Sequence, residues 1–255
     1  MTTRKVEFDE LGFVVVRNVI PNAECKGIRQ RILALLKEPA GPIEYEADLA
    51  YPGSPPNRDA EGGLTPRRIL DAFGRGGACV SLAFNPTVIS TLQTLLGTGE
   101  IALSRPHHNC IMTKHPKYSS DTRWHRDIRF WSYKEPELIS VWFALQDESS
   151  ENGSLRVIPR SHRLILGNNR FDESSFFCEE LVQNQVLIDA AVNIDLRSGD
   201  VLFFHCQLLH SASRNHTSEI KVTPVFTYHS KSNTPIPGTR SASLPSVSIR
   251  KLRLA

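Results

Sequence analysis

Apolar positions in the first hundred residues recur at helical spacing, and beyond residue 100 they fall into short β-branched and aromatic runs. Phe8 to Ile20 carries a β-branched run after Gly12 that reads as a strand. Pro21-Asn22 then starts a helix with Ile28, Ile32, Leu35 and Leu36 on one face. Asn85-Pro86 starts a second helix, whose apolar face is Val88, Ile89, Leu92 and Leu95 and whose stop is Gly97. Between these helices, Pro39 to Gly77 is rich in Gly and Pro and lacks periodicity, apart from a short helix expected at Thr65 to Phe73. So long an irregular stretch reads as functional cover or a mobile loop.

From Ile101 onward the pattern predicts strands at His108–Lys114, Leu138–Gln146, Ser154–Ile158, Val201–Phe204 and Lys221–His229, with an irregular Ser/Pro-rich segment from Ser230 to Ser248. A helical front (1–98) before a run of strands (99–232) predicts one domain over 1–255. It is mainly β with peripheral helices, an α+β chain built on a barrel or jelly roll.

Composition narrows the partners. The chain has 40% apolar and 22% charged residues, the balance of a soluble globular protein. Its net charge of +3 is spread without a basic stripe, which argues against nucleic acid as a partner. The polar N-terminus offers no signal peptide, and no run approaches the roughly 18 apolar residues of a membrane span, so a soluble, cytoplasmic location without membrane attachment is expected. Five widely spaced cysteines without a Cys-x-x-Cys pair read as buried, reduced thiols.

Most of the nine histidines have ordinary surface or core roles. His125-Arg126-Asp127 differs, because side chains at i and i+2 of an extended segment share a face and one metal could take both. Downstream, Gly199 to Phe204 reads as a turn into a hydrophobic strand that reaches His205 and runs on to His210. A third ligand from that distant strand would complete two histidines and a carboxylate on one face of a metal. This facial set suits a non-haem Fe(II) oxygenase, which needs open positions for a chelating co-substrate and dioxygen.

Four segments in order, Trp124 to Asp127, Val141 to Leu145, Glu151 to His162, and Gly199 to His210, together with the Phe8-x-x-x-Gly12-Phe13 opening, resemble the phytanoyl-CoA dioxygenase family over nearly the whole chain. The resemblance implies a double-stranded β-helix, a cupin-like jelly-roll barrel. It implies a metal triad of His125, Asp127 and His210, with His210 preferred over His205 as distal ligand by alternation and by the family's pattern. It further implies Fe(II), 2-oxoglutarate as co-substrate with ascorbate as a stimulant, dioxygen, and hydroxylation of a small-molecule C–H bond as 2-oxoglutarate becomes succinate. The carboxylate at Asp127 favours hydroxylation, desaturation or ring closure over halogenation, which in related iron enzymes goes with a small residue at that position.

Two positions depart from the family. Lys221 stands eleven residues past His210, where an arginine usually holds the distal carboxylate of 2-oxoglutarate, and Ala212 replaces a small hydroxyl residue, with Ser213 beside it. A lysine meets a carboxylate as a point charge rather than a planar fork. Lys221 with Lys114, Thr223 and Ser213 is therefore the expected co-substrate set, Thr223 sharing a strand face with Lys221. Arg126, Arg129, Phe130 and Trp131 flank the ligands as expected substrate contacts, and the stretches 39–77 and 164–180 are expected lids. Two rival readings remain: an iron oxygenase that does not use 2-oxoglutarate, and a non-catalytic binding module on the same scaffold.

Overall fold

The computed structural model describes residues 2–49 and 51–249; Met1, Ala50 and residues 250–255 of the expected 1–255 domain lie outside them. In chain order the helices are α1 (Thr3–Leu11), α2 (Asn22–Lys37), α3 (Gly77–Ala83), α4 (Pro86–Leu96) and α5 (Val182–Ile188). The strands are β1 (Phe13–Val16), β2 (Ile43–Tyr45), β3 (Pro66–Leu70), β4 (Ile101–Lys114), β5 (Thr122–His125), β6 (Leu138–Phe143), β7 (Leu155–Val157), β8 (Val192–Asn193), β9 (Val201–His205), β10 (His210–Ala212), β11 (Lys221–Ser230) and β12 (Val247–Ile249).

These strands form two antiparallel sheets. The larger, eight-stranded sheet runs β1-β9-β6-β11-β4-β3-β2, with β12 paired to β4; the smaller runs β5-β10-β7-β8. This is the jelly-roll, double-stranded β-helix architecture.

Alternation along β9 explains why both faces of the large sheet are covered. Val201 and Phe203 pack into the core shared with the helices, among Ile28, Leu82, Leu92 and Phe226. Leu202 and Phe204 point the other way, into the core between the sheets with Phe13, Trp142, Leu155 and Val225. Such two-sided strands read as continuous apolar runs rather than alternating ones, as Leu138–Phe143 does. Each fully buried Phe or Leu contributes about 1.5–3 kcal/mol by leaving water.

The helix signals are met at both expected places. Asn85 caps α4 by accepting from the Thr87 and Val88 amides, and Gly97 ends it in the left-handed region at φ 65°. Together α3 and α4 are apolar and long enough to cross a bilayer. The break at Phe84-Asn85 divides them, however, and Leu82, Val88 and Leu92 are buried in the core. The five cysteines are free, four of them buried and Cys178 partly so.

Two expectations need correction. Thr65 to Phe73 is not a helix: Pro66–Leu70 is β3, bonded between β2 and β4 with Ile69 fully buried. Partners on both sides outweigh local helical spacing here. Besides the expected strand β1, the helical front therefore supplies β2 and β3 to the large sheet, and the irregular stretch 39–77 includes part of the barrel wall. The unanticipated α1 is capped at its start by Thr2, whose hydroxyl accepts from the Lys5 amide, and at its end by Gly12.

Candidate metal centre

The small sheet brings the ligands together. His125 closes β5 and His210 opens β10, and the two are register partners, their ring centroids 4.2 Å apart. Arg126 continues the extended backbone at φ −109° and ψ 135°, and Asp127 begins a short 3-10 turn on the same side as His125. The Asp127 Oδ1 atom lies 3.6 Å from His125 Nε2 and 3.5 Å from His210 Nε2. One ligand atom from each of these three buried residues falls within 4.8 Å of the others, a spacing a single cation can bridge.

Hydrogen bonds fix which atoms face the centre. His125 Nδ1 is 2.8 Å from the Arg123 carbonyl and His210 Nδ1 is 3.0 Å from the Leu208 carbonyl. A carbonyl only accepts, so each Nδ1 carries the proton and each Nε2 keeps a lone pair for metal. Burial pushes His125 down to about 3, helped by His210, and burial also lowers His210; both rings are neutral at physiological pH. Burial alone would raise Asp127, but the adjacent His108 and His210 hold it well below the usual carboxylate range. Its second oxygen, Oδ2, is held by the Ser140 hydroxyl at 3.1 Å and by His108 Nδ1 at 3.2 Å, which leaves Oδ1 for metal. Two neutral imidazoles and one carboxylate on a single face fit Fe(II).

A cavity extends from His125, His210 and His108 along Met112 and Trp142 to Lys114 and Lys221. Alternation on β4 places His108, Met112 and Lys114 on this wall, a signal present in the sequence but overlooked for His108. Arg67 and Arg68 of β3 also line it. Arg67 is held by Glu46 at 3.1 Å and Thr122 at 2.7 Å, and Arg68 by Glu44.

Lys114 and Lys221 face each other as register partners on β4 and β11, both buried. Their partners differ. The Lys221 ammonium donates to Glu148 Oε2 at 3.1 Å and to the Gly153 carbonyl at 2.6 Å, and the Thr223 hydroxyl donates to the other Glu148 oxygen at 2.8 Å. Lys221 and Thr223 thus serve a carboxylate within the chain. Lys114 donates only to the carbonyls of Ser120 at 2.6 Å and Ala212 at 3.5 Å, so its charge has no acidic partner among the described residues. Burial, then the neighbouring Arg67 and Lys221, pushes its ammonium well below the ordinary lysine value, and an incoming anion would offset all three.

The other expected residues do not line this cavity. Ser213 donates to the Ser150 carbonyl. Arg126 points away from the ligands and donates to the carbonyls of Ser161 and Leu164. Arg129 stacks over Phe176 and Phe130, Phe130 is 56% exposed, and Trp131 packs on His107 and His108. His205 lies outside the cluster, paired at 3.5 Å with Glu137 and packed on Phe8 and His162.

A family model described as phytanoyl-CoA dioxygenase (PhyH) matches residues 8–223. Among curated relatives, an L-proline trans-4-hydroxylase of Streptomyces griseoviridis is 23% identical, covering 91% of this chain and 87% of its own. A probable phytanoyl-CoA dioxygenase of Caenorhabditis elegans is 22% identical over 82% of this chain and 69% of its own. Among solved structures, the epimerase SnoN in complex with Fe3+, alpha ketoglutarate and nogalamycin RO superimposes with a TM-score of 0.74 at 20% identity, covering 94% of this chain and 88% of that one.

Proposed function

Since the chain belongs to the phytanoyl-CoA dioxygenase family, we propose that it is an Fe(II)- and 2-oxoglutarate-dependent oxygenase that hydroxylates, or otherwise oxidises at a C–H bond, a small-molecule substrate. The observation that carries this reading is the Nδ1–H···O=C bond on each of His125 and His210, which aims both Nε2 lone pairs at the free oxygen of Asp127.

The chemistry that bound iron and 2-oxoglutarate supply is oxidative decarboxylation of the co-substrate to succinate, coupled to oxidation of the substrate by dioxygen. The chain's own residues prepare the place for it. His125, Asp127 and His210 would hold the metal. Ser140 and His108 keep Asp127 oriented, and they do so without drawing on its metal-facing oxygen. Lys114, the one buried ammonium in the cavity wall that lacks an acid of its own among the described residues, would meet a carboxylate of the co-substrate. Phe204, Leu155, Met112 and Trp142 line the space between and exclude water.

A second reading, an iron oxygenase that does not use 2-oxoglutarate, is favoured by one observation, the pairing of Lys221 with Glu148. Calorimetric titration of the anaerobic Fe(II) protein with 2-oxoglutarate separates the two. Saturable binding that requires Fe(II) and is weakened by Lys114→Met supports the first reading. No binding to the Fe(II)-loaded protein supports the second.

A further inference from the structure

Glu148 is a buried carboxylate that the proposed chemistry does not use. It is 2% exposed, and its backbone is fixed by a two-way bridge to Leu196, N–H to carbonyl at 2.8 Å and 3.0 Å. Its side chain collects the Lys221 ammonium at 3.1 Å, the Thr223 hydroxyl at 2.8 Å and the Trp142 indole N–H at 3.2 and 3.1 Å. An ammonium, a hydroxyl and an indole N–H converging on one carboxylate make a cradle of the sort that recognises the acid end of a small ligand. Two of its three donors, Lys221 and Trp142, also line the cavity that reaches the metal ligands.

We propose that Glu148 acts as a built-in carboxylate that competes with 2-oxoglutarate for Lys221, and so sets this chain's affinity for its co-substrate. The proposal rests on the co-substrate reading above. Like charges directly opposite on neighbouring strands are unfavourable, and Lys114 faces Lys221 across β4 and β11. Glu148 neutralises one of the two ammonium groups. One positive charge is left over, enough for a single incoming carboxylate, which Lys114 takes. Without the Glu148 charge both lysines, Thr223 and Trp142 would be free to hold that carboxylate. The internal acid thus costs co-substrate affinity while satisfying Lys221 when no co-substrate is bound.

The test compares the Fe(II)-loaded wild type with Glu148→Gln, a variant of the same shape without the charge, by 2-oxoglutarate titration and thermal unfolding. Glu148→Gln is expected to bind 2-oxoglutarate on the order of tenfold more tightly, the worth of one charge-assisted hydrogen bond. It is also expected to melt lower than wild type alone and to gain more in Tm from saturating 2-oxoglutarate. Equal or weaker binding in the variant, with wild-type binding intact, overturns the proposal and leaves the co-substrate reading standing. No binding to either protein overturns both. Should Glu148→Gln not fold, the double variant Glu148→Gln/Lys221→Met removes the pair together and is expected to bind 2-oxoglutarate within about twofold of wild type, because Lys114 is the anchor in both. A loss of more than about tenfold in the double variant would show that Lys221 holds the co-substrate in spite of Glu148, and would overturn the proposal.

Discussion

Asp127 offers one oxygen to the space between His125 and His210 because Ser140 and His108 engage the other. Supporting groups of this kind typically account for 10- to 100-fold in metal affinity, so Ser140→Ala and His108→Phe should each weaken Fe(II) binding by about that factor while the fold persists. Anaerobic Fe(II) titration with circular dichroism checks this. By the same assay His125→Ala, Asp127→Ala and His210→Ala should each abolish tight binding, whereas His205→Ala should keep wild-type affinity. Loss of binding in His205→Ala with retention in His210→Ala would move the third ligand. The triad was legible because i and i+2 share a face and because the strand after Gly199 leads to His210. The partner of Lys221 was not. Glu148 lies 73 residues away in sequence, and only the closing of the barrel brings the two together.

Short elements place these residues, and two of them carry predictions. Ser149 and Asn152 form a reciprocal cap and Gly153 follows at φ 78°, which turns its carbonyl toward Lys221. A Cβ at 153 would stand 2.5 Å from the Ser213 carbonyl oxygen, so Gly153→Ala combines a left-handed backbone with a clash. It should cost more than about 1 kcal/mol in urea unfolding, and a neutral effect would remove the turn from the account. On β3, Arg67 is 4% exposed and paired with the fully buried Glu46. Glu46→Ala leaves that charge with only the more distant Glu44, at 4.0 Å, and should destabilise the protein by about 3 kcal/mol, read as a lowered urea midpoint. β3 itself was misread, since five residues carry too little periodicity to tell strand from helix. Its pairing with β2 and β4 is a property of the assembled sheet. The strands β6 and β9 were legible for the opposite reason: burial on both faces writes them as nearly continuous apolar runs.

Across the whole molecule, two ligands arise from strands of the small sheet and the third from the turn after β5, while the charged end of the cavity comes from β4 and β11 of the large sheet, so the proposed reaction needs both sheets at once. Lys114→Met should raise the 2-oxoglutarate requirement by about tenfold to a hundredfold, the scale of a lost charge-assisted hydrogen bond, while Fe(II) affinity stays at the wild-type level. Separate effects on metal and co-substrate would show that the two ends of the cavity do different work. The order of the motifs along the chain pointed to this architecture. The distribution of charge among Lys114, Lys221 and Glu148 became visible only with the sheets in register. The most direct test of the central claim is succinate formation from 2-oxoglutarate by the aerobic Fe(II) protein with ascorbate, wild type against Asp127→Ala. The account predicts Fe(II)-dependent succinate from the wild type and none above background from the variant. Equal succinate from both, or none from a wild type shown to bind Fe(II) and 2-oxoglutarate, would contradict it.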